Sequence, residues 1–153
     1  MDQKYRRQVS LLLDVLPEVA SEECFALHGG TAINLFVRDM PRLSVDIDLT
    51  YIPIEDRQTS LANVRAALLR IKAKLERIIS SVHVTDRTDI GKLLISAQAV
   101  DIKLEVNLVN RGAIMPPATA VLCSRAQEEF DAFCEILVVS TGQLYGGKIC
   151  AAL

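Results

Sequence analysis

The sequence lacks closely spaced cysteines: Cys24, Cys123, Cys134 and Cys150 lie far apart and form no CxxC pair or metal-ligand rhythm. That excludes a dithiol redox centre or a structural zinc knot read from spacing, and leaves reduced, mostly buried thiols. No uninterrupted apolar run approaches the ~18 residues of a membrane-spanning helix. The opening stretch, Met1-Asp2-Gln3-Lys4-Tyr5-Arg6-Arg7, has neither the hydrophobic run nor the small-residue cleavage site of a signal peptide. The expectation is a cytoplasmic protein with no membrane association. An excess of charge of one sign is also missing. The formal net charge of −2 argues against binding nucleic acid through bulk charge and leaves only a local basic patch for that purpose. Repeats and low-complexity tracts are absent.

What is present fits one globular domain over residues 1–153: half of the 153 residues are hydrophobic, enough to fill a core. The pattern along the chain predicts an α+β fold, a mixed β-sheet flanked by helices. Val9, Leu12, Leu13 and Leu16 recur at helical spacing over Gln3 to Leu16, with Pro17 ending the helix. Phe25-Ala26-Leu27 reads as a short buried strand, and Thr31 to Val37 as a helix with Ala32, Leu35 and Phe36 inward. After a turn from Arg38 to Arg42 comes a strand from Val45 to Ile52. Leu61, Val64, Leu68, Ile71, Leu75 and Ile78 mark a long amphipathic helix from Asp56 to Ile79. His83 to Thr85, Leu93 to Ser96 and Asp101 to Val109 suit strands. In the last of these Asp101, Lys103, Glu105 and Asn107 share one face, while Ile102, Leu104, Val106 and Leu108 share the other. Met115-Pro116-Pro117 marks a loop, Arg125 to Phe130 a weak helix, Glu135 to Val139 a strand, and a last helix starts near Thr141 with Ser140 as its cap.

The chemistry is concentrated in Gly29-Gly30-Thr31 and in Ser44-Val45-Asp46-Ile47-Asp48-Leu49. Side chains alternate across a strand, so Asp46 and Asp48 project to one side while Val45, Ile47 and Leu49 enter the core. Two adjacent carboxylates repel unless a cation lies between them, and magnesium takes oxygen ligands and brings triphosphates with it. If the strand bearing Glu105 lies beside that of Asp46 and Asp48, three carboxylates converge, a set that suits in-line phosphoryl transfer. The glycines allow backbone N–H groups to approach a phosphate at a helix start, where Thr31 could add a hydroxyl. Taken alone, a DxD pair is more often solvated surface and a Gly-Gly run is equally often a tight turn; the order of the parts is what carries the reading. Arg42 and Ser44 share the parity of Asp46 and Asp48, which suits a phosphate or metal-shell role and a turn-stabilising role equally. Lys148, among apolar neighbours, calls for an anionic partner such as a triphosphate, or else extends to solvent. His28, next to the glycines, reads more simply as a satisfied core or edge residue than as a catalyst.

The arrangement resembles the nucleotidyltransferase superfamily, the fold of polymerase-β-like enzymes, and more closely the AbiEii/AbiGii toxin family within it. The resemblance covers Phe25 to Leu153 and rests on Gly29-Gly30-Thr31-Ala32, on Arg42 to Leu49, on Ile102 to Asn107 and on Leu144 to Leu153. It implies that Asp46 and Asp48 bind metal, with Glu105 as the third acid. It further implies that Gly29, Gly30 and Thr31 face the phosphates and that Lys148 neutralises them. The implied activity is magnesium-dependent transfer of a nucleoside monophosphate from NTP to an acceptor, with tRNA as an acceptor, by a toxin of a bacterial toxin–antitoxin or phage-defence pair with its own antitoxin protein. Relatives continue past the lysine helix with further helices, whereas this sequence stops at Ala151-Ala152-Leu153 in mid-pattern, so a chain truncated at the C-terminus is expected. The basic residues of the long helix, Arg57, Arg65, Arg70, Lys72, Lys74 and Arg77, offer a nucleic-acid face or a merely solvated one. The alternative to an enzyme is an inactive nucleotide-binding or protein-interaction module.

Overall fold

The computed structural model describes residues 3–40, 45–109, 112 and 116–140. The predicted Arg38–Arg42 turn falls partly outside these residues, and Ser44, Lys148 and the last helix fall wholly outside. Helix α1 (Gln3–Ala20) buries Val9, Leu12, Leu13 and Leu16 as the spacing predicts, and Val15 and Val19 besides. It does not end at Pro17. Proline removes one hydrogen bond from a helix interior, but the turn beyond it carries Val19, which is 1% exposed, and this burial holds the helix together to Ala20.

Strand β1 (Phe25–His28) leads into α2 (Gly29–Ala32), which continues as a π-helical turn over Ile33–Val37. The helix expected from Thr31 to Val37 is therefore widened in its second half. Ala32 and Leu35 are buried as expected, and Ile33 joins them while Phe36 is only half-buried. Strand β2 (Asp46–Tyr51) precedes α3 (Arg57–Ile78). Asp56 caps α3 by accepting a hydrogen bond from the Thr59 backbone N–H at 2.7 Å. Of the apolar stripe on α3, Val64, Leu68, Ile71 and Leu75 are buried, whereas Ile78, in the last turn, is 53% exposed.

Strands β3 (His83–Arg87), β4 (Lys92–Ala97) and β5 (Val100–Val106) follow. The strand expected to run to Val109 ends at Val106, where Asn107 turns the chain by accepting from the Val109 N–H at 2.9 Å. Strand β6 (Ala118–Val121), helix α4 (Ser124–Phe130) and strand β7 (Glu135–Val138) complete the described elements. The seven strands form one mixed sheet in the order β3-β4-β5-β2-β1-β7-β6. The pairs β2–β5 and β1–β7 are parallel, and the others antiparallel. The α+β expectation of a mixed sheet flanked by helices holds.

The core lies between the sheet and helices α1 and α3. Ile47, Leu49, Leu93, Ile95 and Leu104 of the sheet, Leu12 and Leu16 of α1, and Leu68, Ile71 and Leu75 of α3 are all fully buried. Each fully buried aliphatic side chain of this kind contributes roughly 1.5–3 kcal/mol. Strict alternation then turns the intervening polar residues of β2, β4 and β5 onto the opposite face.

Candidate active site

The site grows from the register of three neighbouring strands. Strand β5 pairs with β2 in parallel so that Lys103 stands beside Asp46 and Glu105 beside Asp48. Strand β1 pairs with β2 in the antiparallel sense and sets His28 beside Asp48 on the other side. His28, Asp48 and Glu105 thus form one row across β1, β2 and β5, with adjacent strands about 4.8 Å apart. The condition attached to the three carboxylates, that their strands be neighbours, is met.

Asp46 is exposed and Asp48 half-buried, while Ile47 and Leu49 between and beyond them are fully buried. Burial pushes the Asp48 carboxyl above its ordinary range. His28 and Lys103 pull it down, and the charges of Asp46 and Glu105 push it further up. Burial likewise holds the His28 imidazole below its ordinary value against the pull of Asp48 and Glu105, so the ring is neutral near pH 7. Its Nδ1 lies 2.9 Å from the Thr50 hydroxyl, two residues along β2 from Asp48. The hydrogen bond to Thr50 fits the reading of His28 as a satisfied residue, and the β1–β2 register adds its place in the carboxylate row. A four-residue strand ending at a glycine gives no sign of which neighbour it will meet.

Gly29 has a positive φ of 79°, and a Cβ there would lie 2.7 Å from Asp48 Oδ2. Only glycine lets the α2 backbone come this close to the carboxylate. Gly30 is exposed and its carbonyl accepts from Asn34 Nδ2 at 2.8 Å. Thr31 is fully buried, and its hydroxyl donates to the backbone carbonyl of Asp46. The contact ties the start of α2 to the start of β2, so Thr31 positions the strand that carries both aspartates. Ser44 and Lys148, expected near the phosphates, lie outside the described residues.

Two cations that the motif reading did not assign to the site also stand here. Lys103 Nζ is 3.5 Å and Lys92 Nζ 3.9 Å from Glu105 Oε2. Lys103 could have been found, since it shares the parity of Glu105. Lys92 could not, because it reaches Glu105 only through the β4–β5 pairing. A cleft of about 330 Å³ opens over the row, with His28, Asp48 and Glu105 at its polar end and Ile90, Leu108 and Val109 as an apolar wall. The long basic helix behaves differently. Arg70 and Lys74 of α3 hold Glu22 at 2.7 and 3.3 Å, and Lys72 pairs with Glu76 at 2.5 Å. Half of the basic residues proposed as a nucleic-acid face are thus engaged in ion pairs within the fold.

Among the described residues no three His, Cys, Asp or Glu side chains form a ready-made cation cage. Magnesium requires none, being held typically by one or two carboxylates, waters and substrate phosphates. The oxygen donors of Asp46 and Asp48 fit such a cation, and the like-charge stress on Asp48 is what it would relieve. No helix among the described residues is long and apolar enough to cross a membrane.

A solved structure shares this fold. The structure is similar to MenT4, a nucleotidyltransferase toxin from Mycobacterium tuberculosis H37Rv, with a TM-score of 0.69 at 11% sequence identity over 95% of this chain and 52% of that one. The chain thus spans about half the length of that toxin, and the likeness is one of fold. A comparison with curated proteins finds no match. Residues 10–153 match the nucleotidyl transferase AbiEii toxin of type IV toxin–antitoxin systems, and the chain belongs to that family.

Proposed function

We propose that the chain transfers a nucleoside monophosphate from an NTP to a hydroxyl of tRNA, as the toxin of a toxin–antitoxin or phage-defence pair in the cytoplasm, with an antitoxin protein as its partner. The observation that carries the reading is the register of Asp48 with Glu105, with the Gly29 backbone against the Asp48 carboxylate. Asp46 and Asp48 would hold a divalent cation such as magnesium, which when bound neutralises and orients the triphosphate oxygens. Gly29 and Gly30 offer backbone to those phosphates, and Lys148 and Ser44, which lie outside the described residues, are the further anion contacts that the family resemblance implies. The acceptor hydroxyl oxygen forms a bond to the α-phosphorus, the bond from that phosphorus to the bridging oxygen of the β-phosphate breaks, and pyrophosphate leaves. Glu105, on the far side of Asp48 from the glycines, takes the hydroxyl proton.

The test is label transfer from each α-labelled NTP to total tRNA with magnesium. Asp48→Asn should lose at least a hundredfold in rate, in line with removal of a group that stabilises developing charge. Transfer that persists in this variant sinks the site assignment, and binding of a partner protein without transfer in the unaltered chain favours the interaction module.

A further inference from the structure

Beyond Glu105 the row does not stop. Lys92 on β4 stands beside Glu105, and Arg87 on the edge strand β3 stands beside Lys92. Lys103 flanks them on β5, two residues before Glu105. Arg87 has Asp89 at 3.9 Å, and the two lysines share the carboxylate of Glu105, while Lys103 also stands beside Asp46, so Arg87 and Lys92 are the cations set away from the aspartate pair. Arg87 is exposed and the two lysines are half-buried, with 34% of the Lys92, 39% of the Lys103 and 51% of the Arg87 side chain open to solvent. Arg87 directly opposite Lys92 is an unfavourable like-charge pair in an antiparallel ladder. A polyanion lying across both would relieve that cost.

The order of strands assigns this patch a side of the reaction. The glycine backbone meets Asp48 from β1, and Glu105 meets it from β5. If the nucleotide phosphates lie on the glycine side, as the proposed function holds, the acceptor enters over β5, β4 and β3. We infer that Arg87, Lys92 and Lys103 form a track that grips the phosphate backbone of the acceptor RNA strand and delivers its hydroxyl to Glu105. This inference rests on the proposed transfer reaction and names which residues hold its acceptor. It also reconciles an overall charge of −2 with RNA binding, because the cations are gathered on one stretch of sheet instead of spread over the surface.

Equilibrium binding of total tRNA to the chain, without NTP and between 50 and 200 mM salt, tests it. The double variant Arg87→Gln, Lys92→Gln should bind about tenfold more weakly and lose about 1.5 from the slope of log affinity against log salt, the loss of two phosphate contacts. The conservative pair Arg87→Lys, Lys92→Arg should bind as the unaltered chain does, which separates lost charge from lost folding. NTP affinity with magnesium, measured without acceptor, should be the same in all three. Unchanged tRNA affinity and slope in the glutamine variant overturn the inference and leave the two residues as charges that protect an edge strand. Lost NTP affinity with retained tRNA binding overturns it as well, by putting the cations on the nucleotide side. An unaltered chain that binds no tRNA does the same. Failure of the transfer reading shows separately, as labelling that survives Asp48→Asn.

Discussion

At the scale of the residue, the site depends on one backbone position more than on any side chain that surrounds it. Gly29 occupies the left-handed region, and any other residue would drive its Cβ to 2.7 Å from Asp48 Oδ2. Two costs therefore coincide at Gly29→Ala: an unfavourable φ and displacement of the carboxylate. The first is worth of order 1–3 kcal/mol. The second turns the Asp48 carboxylate away from its place beside Glu105. Gly29→Ala should lower the urea unfolding free energy by about 1–3 kcal/mol and abolish transfer. Gly30→Ala, at an exposed position next to it, should leave stability within about 1 kcal/mol. Equal losses in both variants, read by denaturation and by label transfer, would refute the special role of Gly29.

At the scale of the element, the contact that fixes α3 against the end of α1 is ionic. Glu22, with 8% of its side chain exposed, accepts from Arg70 and Lys74. Hydrogen bonding from Arg70 holds its carboxyl below the ordinary range, burial opposes this, and Lys74 adds to it. A carboxyl whose folded value is depressed stabilises the protein fully above its unfolded value, about 4.3, and loses that contribution as pH falls through the folded value. Glu22→Gln should cost about 1–2 kcal/mol at pH 7, since Arg70 is half in water and its share is screened. The difference from the unaltered chain should shrink below about pH 4, followed by urea midpoints from pH 7 to pH 3. A constant difference across that range would show that Glu22 acts through packing alone. The same elements show what local sequence can and cannot carry. Alternation over β2 and β5 is a property of a few consecutive residues, so Asp46, Asp48 and Glu105 were legible. Strand β6 (Ala118–Val121), mostly exposed, has no alternation to read. The extension of α1 past Pro17 and the pairing of Glu22 with Arg70 are decided by neighbours far along the chain, as is the proximity of Lys92 to Glu105.

At the scale of the whole molecule, the sheet must hold strands from both halves of the chain in register, and its thinnest seam is β1–β7. That parallel pair aligns Leu27 with Val138, and Val139 N–H donates to the Leu27 carbonyl at 3.1 Å. Against a seam that opens by itself stand Cys134, Ile136, Val138 and Val139, each at most 5% exposed. Arg6 of α1 adds a second tie, bonding the Glu129 carbonyl at 2.7 Å and lying 5.0 Å over the Phe130 ring. Two thiols flank the seam. Cys24 precedes β1 and its carbonyl accepts from Ile52, while Cys134 precedes β7 and its carbonyl accepts from Leu122. Burial pushes both thiols up to about 11, so roughly one molecule in a thousand carries a given thiolate at pH 8. Alkylation of either thiol should therefore wait for unfolding. With Cys123 and Cys150 replaced by serine, labelling of Cys24 and Cys134 at pH 8 should rise together with urea, along the global transition seen by circular dichroism. Labelling of Cys134 at lower urea than Cys24 would instead mean that β6 and β7 open as a unit of their own, leaving β1, β2 and β5, and with them the carboxylate row, folded.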